Sequence, residues 1–272
     1  ALVELPPSLG RLAKLRLLQL DGNAIAAVPP AVLRGGTALA TLSLHGCPIT
    51  PAALESTDGW AEFEARRRGK YLVCDLDSGD AVMVHLRMSG QLLVAPAATP
   101  RPPHTHVTMI LGDGSDELRF VDPRTFGEVV VFDPERVDVQ VPELTRLGVD
   151  PIEDPFDAGT LASALAGTRR AVKAVLLDQH RVAGLGNIYT DEVLHRAGLR
   201  HDRAASGLSR RSIARLADAV VATLSEAIAA GGSTLGDAQY VDLFGRAGGF
   251  SEFHRVYGRE GLPCVTCDRA RI

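Results

Sequence analysis

The sequence predicts a multidomain α+β protein, and three changes of hydrophobic pattern predict it. Up to about residue 68, leucines recur at a spacing of 24. From Tyr71 to Phe132, short apolar alternations are punctuated by Gly and Pro. From Asp157 onward, apolar residues fall at helical spacing. A chain of 272 residues has room for two or more domains. Its 46% apolar and 23% charged residues suffice for a packed core, which excludes bulk disorder.

In the first region, Leu15, Leu18, Leu20 and Asn23 recur as Leu39, Leu42, Leu44 and Cys47, and Ile25 recurs as Ile49. The pattern L-x-x-L-x-L-x-x-N matches a leucine-rich repeat. Leucines at alternate positions of a short strand point into a stacked core, and an Asn amide bonds the turning backbone. Residues 2–68 therefore resemble the end of an intracellular leucine-rich-repeat protein, with Gly59–Arg68 (GWAEFEARRR) as a closing helix. Two repeats and a fragment are fewer than the three that such stacks usually need.

The second region, residues 69–135, reads as a partial β-sandwich. Strands are expected at Tyr71–Leu76, Ala81–Leu86, Gln91–Val94, Val107–Leu111, Glu117–Val121 and Gly127–Phe132. The third, residues 136–235, opens with an acidic, Pro-rich connector and becomes helical. Asp157 caps a helix through Ala166, Ala171–Gln179 is a second, and Asn187–Ala197 is a third, entered through Gly184-Leu185-Gly186. A long fourth runs from Ser209 to Gly231-Gly232, with Ile213, Leu216, Val220, Leu224 and Ile228 on one face. Residues 236–272 are loop-rich and contain Cys264-Val265-Thr266-Cys267.

No apolar run approaches the ~20 residues of a membrane span, and no signal peptide is evident. Four cysteines imply no disulfide framework, so a cytoplasmic, nucleoid or nuclear location is expected rather than secretion. The net charge of −4 argues against a nucleic-acid binder, but its distribution does not. Asp113–Asp157 holds 13 acidic and 4 basic residues, whereas Thr160–Val220 holds 10 basic and 5 acidic. A DNA face needs local positive charge, though a solvated helical face reads the same way.

Several short segments carry chemistry when taken in order: Arg67–Leu72 (RRGKYL), His85–Gly90 (HLRMSG), His104–Val107 (HTHV), Asp122–Gly127 (DPRTFG), Leu177–Glu192 (LDQHRVAGLGNIYTDE), Gly231–Leu235 (GGSTL), Val256–Gly261 (VYGREG) and the final Cys-x-x-Cys. Asn187 follows a Gly-x-Gly turn and opens a helix, where free N–H groups suit a phosphate, or where it is an ordinary cap. Met88, Arg124 and Phe126 sit on loops after strands. An apolar wedge and a guanidinium there suit the hole left by a flipped base; core packing is the plainer reading of Met88 and Phe126. Together these segments resemble the formamidopyrimidine-DNA glycosylase / endonuclease VIII family over about residues 67–272.

That resemblance implies excision of oxidised bases from double-stranded DNA and cleavage at the abasic site. It implies a helix–two-turn–helix domain and DNA-facing roles for Met88, His104, His106, Arg124, Phe126, Lys173 and Asn187; for the two histidines a surface role stays open. It implies a structural zinc finger, of which Cys264 and Cys267 are half, so complete zinc coordination is not expected. It also implies an N-terminal proline nucleophile with an adjacent Glu, which the leucine-rich segment does not supply. Lys70 matches a phosphate-contacting lysine and is the amine left as a substitute. Arg87 stands where the family usually has Gly. The two resemblances meet within Arg66–Lys70, as in a fusion. Two other readings remain beside an impaired glycosylase and lyase: a non-catalytic DNA-binding remnant, and a protein-interaction module working through the leucine-rich face.

Overall fold

The computed structural model describes residues 2–12, 15, 17–20, 22–34, 41–44, 47–49, 53, 65–76, 79–111, 116–236 and 239–272. The chain divides into two compact units, Ala1–Arg66 and Arg67–Ile272. The expected divisions near 135 and 235 both fall inside the second unit.

In the first unit, β1 (Leu17–Gln19) and β2 (Thr41–Ser43) pair in parallel, with Leu18 opposite Leu42. The register therefore equals the spacing of the sequence repeat. Between them lies α1 (Pro30–Arg34). Leu5, Leu20, Ile25, Val28 and Val32 are buried together, with Leu42, Leu44, Cys47 and Ile49 packed on them. The Asn23 amide donates to the Leu20 carbonyl at 2.9 Å, and Cys47 Sγ donates to the same carbonyl at 3.1 Å. Residues 23 and 47 thus meet on one carbonyl, Asn23 from its own turn and Cys47 from the next repeat. Leu39 lies outside the described residues.

The expected helix over Gly59–Arg68 is not formed at its end. Ala65–Arg68 is strand β3, and 59–64 lie outside the described residues. The physical reason is what the arginines find. Arg67 and Arg68 reach Asp150, Glu153 and Asp154, which favours an extended segment leading into the turn at Gly69.

The second unit contains β4 (Tyr71–Asp75), β5 (Ala81–His85), β6 (Gln91–Pro96), β7 (Thr105–Leu111), β8 (Asp116–Val121) and β9 (Glu128–Phe132). They form two sheets, ordered β3-β4-β5-β9 and β6-β8-β7. Strand β5 is buried at all five positions. Because side chains alternate across a strand, Val82 and Val84 meet Leu92 and Phe120 of the other sheet. Ala81 and Met83 instead face Phe132 and Val141, beside the short helices α2 (Val137–Gln140) and α3 (Pro142–Thr145). This is a sandwich with one outer face covered.

The helical region comprises α4 (Ala158–Leu165), α5 (Val172–Leu176), α6 (Asn187–Arg196) and α7 (Arg210–Ala229). Asp157 caps α4 by accepting from Thr160 N at 2.8 Å, and Ser209 caps α7 by accepting from Ser212 N at 3.2 Å. Helix α5 is shorter than Ala171–Gln179. Its end turns at Leu177–Arg181, where Asp178 bonds His180 N and Arg170. Leu161, Val175, Leu176, Leu185, Val193, Leu216 and Val220 form one core. Among the described residues, no helix is long and apolar enough to cross a membrane.

Candidate nucleic-acid interface

The site begins with two glycine turns that touch. Gly69 takes φ +59, and Gly184 takes φ +91, both in the region that favours glycine. A Cβ on Gly184 would lie 3.8 Å from Gly69 Cα. Asp150, almost fully buried, fixes the first turn. It accepts from Arg67 at 2.7 and 3.2 Å, from Gly69 N at 2.8 Å and from Ile152 N at 3.0 Å. Burial pushes the Asp150 carboxyl up, but these bonds outweigh it and hold the group below its ordinary value.

This packing aims Lys70 at the start of α6. Its Nζ lies 3.4 Å from where a Cβ on Gly186 would stand. Asn187 is the first residue of α6 and is exposed. No side chain caps that end, so its first backbone N–H groups face outward. Among the described residues Lys70 forms no ion pair. Lys70 is exposed, yet the surrounding protein desolvates its amine enough to lower its pKa below the ordinary lysine value. An unpaired ammonium beside a bare helix N-terminus is an anion site.

Nearby, His85 ends β5 and feels the charge of Lys70 and of Arg87. Its pKa is lowered to about 4, first by burial and then by Arg87. The neutral ring is fixed in one tautomer, because Nδ1 accepts from Arg87 N at 2.9 Å. Arg87 has φ +51 and pairs with Glu128 at 2.7 Å. Glycine would be at ease in that backbone conformation, so Arg87 is a strained replacement anchored by a surface ion pair. Its neighbour Met88 is 53% exposed, and so is Phe126. Neither is a core residue. Arg124 lies over the Phe126 ring at 5.0 Å. His104 and His106 are both exposed; His104 has φ +65, and His106 Nε2 bonds the Asp122 carbonyl at 2.9 Å.

The formamidopyrimidine-DNA glycosylase N-terminal domain matches residues 19–129, and the formamidopyrimidine-DNA glycosylase H2TH domain matches 147–239. The formamidopyrimidine-DNA glycosylase of Moorella thermoacetica is 46% identical over 201 residues, covering 74% of this chain and 72% of that protein. That of Geobacillus kaustophilus is 48% identical with the same coverage. This chain belongs to the formamidopyrimidine-DNA glycosylase family. The MutM (Fpg) structure from Thermus thermophilus aligns with a TM-score of 0.68 at 40% identity, over 75% of this chain and 74% of that one. The Lactococcus lactis Fpg, in complex with DNA containing an abasic site, aligns with a TM-score of 0.67 at 32% identity, over 75% and 73%. The N-terminal-domain match starts at residue 19 and so reaches into the segment with the leucine repeat.

Within this family framework, Lys173 is tied down: its Nζ lies 2.7 Å from Asp191 Oδ1 on α6. Four of the ten basic residues in Thr160–Val220, namely Arg170, Lys173, Arg196 and Arg200, are neutralised by carboxylates. The field on that face is weaker than the count suggests. Cys264 is buried and Cys267 exposed. Hydrogen bonds from the backbone of Ala270 and Arg269, then from Cys264, lower the Cys267 thiol pKa. Cys264 Sγ also stands 3.6 Å from His195 Nε2. Two thiols are half a structural zinc set, and among the described residues no three potential ligands converge on a metal position. The residues described do not fit a complete zinc site by themselves.

Three carboxylates that organise the site went unassigned in the sequence. Besides Asp150, they are Glu192 and Asp122. Glu192 is buried on α6 and accepts from the backbone N–H groups of Arg255, Val256 and Tyr257 at 2.9, 3.0 and 2.9 Å. It thereby holds the VYGREG segment. The GGSTL turn joins the same helix through Ser233, whose Oγ lies 3.3 Å from the Tyr189 hydroxyl and 2.9 Å from His254 Nε2. A cavity of about 300 Å³ opens at the other end of α6, among His195, Arg196, Glu226, Phe250 and Arg255, away from Asn187.

Proposed function

We propose that Arg67–Ile272 recognises double-stranded DNA carrying oxidised bases or abasic sites, as a base-excision-repair glycosylase and lyase homologue. The observation that carries this reading is the convergence of Lys70 on the open N-terminus of α6 at Asn187. Those groups take a backbone phosphate. Met88 and Phe126 supply apolar wedges for the space a flipped nucleotide leaves, and Arg124 supplies donors for the orphaned base. His104, His106 and Lys173 complete the DNA-facing set.

Residues 2–68 are read as a leucine-rich-repeat fragment joined at the arginine run. The support is the 24-residue parallel register of Leu17–Gln19 with Thr41–Ser43. On that reading, the segment preceding Arg67 does not present the family's proline amine, and Lys70 is the amine that the unit itself holds beside Asn187. Covalent chemistry needs an amine positioned about 3 Å from the sugar carbon. Binding and chemistry then come apart. For zinc, Cys264 and Cys267 would serve as two of four ligands, stabilising the loop that carries them.

The test is single-turnover incubation with a duplex holding an oxidised guanine opposite cytosine, and with an abasic-site duplex, each under borohydride trapping. The expected result is binding to both, excision no faster than the protein-free control, and slow abasic cleavage with any adduct on Lys70. Efficient excision through another amine would contradict the impaired reading. Failure to bind either duplex would contradict the DNA reading itself.

A further inference from the structure

The side chains assigned to damage reading sit on three separate loops. One carries Met88, one carries His104 and leads into His106 at the start of β7, and one carries Arg124 and Phe126. Each loop contains a non-glycine residue in the left-handed region: Arg87 at φ +51, His104 at φ +65 and Thr125 at φ +56. Such conformations cost about 1–2 kcal/mol each and persist only where surroundings enforce them. The hydrogen bonds that tie the three loops together converge on one residue.

Asp122 is fully buried. Its Oδ1 accepts from Ser89 Oγ at 2.5 Å, and Ser89, also buried, directly follows Met88. The same oxygen accepts from Arg124 N at 3.2 Å, and Oδ2 accepts from Gly127 N at 2.7 Å. Its backbone N–H donates to the His104 carbonyl at 3.0 Å, and its carbonyl takes His106 Nε2 at 2.9 Å. Gly127 is required by this packing, since a Cβ there would lie 2.4 Å from the Phe120 ring and 3.1 Å from Asp122 Oδ2. Burial alone would push the Asp122 carboxyl up. The bonds from Ser89, Gly127, Arg124 and Phe126 outweigh it, so the group is an anion whose pKa lies below the ordinary value.

We propose that Asp122, working through Ser89, is the positioning residue that fixes Met88, Arg124 and Phe126 as one lesion-reading unit and so sets discrimination between damaged and intact DNA. This rests on the DNA reading above but goes beyond it. Asp122 is fully buried and so offers no surface of its own to DNA. The groups assigned to phosphate, Lys70 and Asn187, are held by Asp150 and the glycine turns and not by Asp122. Disturbing Asp122 therefore separates lesion preference from general duplex affinity.

The experiment uses the full chain with Ser89→Ala and Asp122→Asn. Anisotropy measures affinity for a duplex with a tetrahydrofuran abasic analogue and for the matching intact duplex. A 2-aminopurine opposite the analogue reports insertion of the wedge. Ser89→Ala removes one charge-assisted hydrogen bond and should lower the ratio of analogue to intact affinity by about tenfold. Asp122→Asn should lower it further. Affinity for the intact duplex should stay within about twofold in both variants, and the 2-aminopurine signal should fall. If Asp122→Asn does not fold, Ser89→Ala decides. A wild-type ratio in the variants, or equal weakening on both duplexes, overturns the proposal. A wild-type chain that binds neither duplex overturns the underlying DNA reading, and the proposal with it.

Discussion

The phosphate-facing turns and the wedge loops of the second unit solve the same problem in opposite ways. Gly69 and Gly184 place the chain at positive φ at no steric cost. The wedge loops use Arg87, His104 and Thr125 at positive φ and offset the strain with a buried carboxylate. The first design is local: a glycine turn runs straight into a helix, and the helix end is the binding group. The second is non-local, because Ser89 and Asp122 are 33 positions apart. A backbone site needs only shape, whereas a side-chain wedge needs exact rotamers, and those must be held from outside.

The largest expected effect strikes the first region through Asp150, which bonds Gly69 N from 81 positions away. Replacing Asp150 by Ala leaves Arg67 without its buried partner and Gly69 N without an acceptor. Breaking a buried pair in this way should cost about 3–5 kcal/mol. Urea unfolding measures it, and a loss within about 1 kcal/mol would show that the glycine turns hold Lys70 unaided.

The second effect falls on the wedge side and is a pH dependence. His85 is lowered to about 4 in the folded chain, while an unfolded histidine titrates near 6.5. As pH falls below 6.5 the unfolded chain takes up the proton first, so stability declines until the folded His85 also titrates near 4. The contribution lost over that window is on the order of 2–3 kcal/mol. His85→Gln, which keeps an acceptor for Arg87 N, should flatten the slope of unfolding free energy between these pH values. An unchanged slope would place the proton uptake elsewhere.

The smallest effect falls on Arg87. Arg87→Gly turns a strained wedge-loop position into one like Gly69. It relieves about 1 kcal/mol of left-handed strain. It also removes a surface pair to Glu128 worth about 0–1 kcal/mol. A thermal shift of zero to slightly positive is expected; a clear loss would mean that the Arg87–Glu128 pair holds the loop.

The same contrast explains what was legible in sequence. The strands and the caps Asp157 and Ser209 follow from local alternation and from oxygen side chains before apolar runs, and the structure forms them within a few residues of expectation. The 24-residue spacing of the repeat equals the offset of the parallel register between Leu18 and Leu42. Asn187 was legible because its turn is written in adjacent residues. The end of the GWAEFEARRR helix was misread because its arginines answer to Asp150, Glu153 and Asp154, more than 80 positions away. Asp122 and Glu192 were seen only as members of motifs, and Asp150 only as part of an acidic connector. Their function lies in backbone N–H groups that other segments bring to them, and composition carries no trace of that.

The most direct measurement compares Lys70→Ala with Phe126→Ala on an abasic-analogue duplex and an intact duplex across a salt titration. Lys70→Ala should weaken both duplexes alike and lower the salt slope by about one, as loss of one phosphate contact requires. Phe126→Ala should weaken only the analogue duplex and leave the slope unchanged. Unaltered affinity in Lys70→Ala, or equal weakening of both duplexes in Phe126→Ala, would contradict the division of the DNA face into a phosphate-holding turn and a lesion-reading wedge.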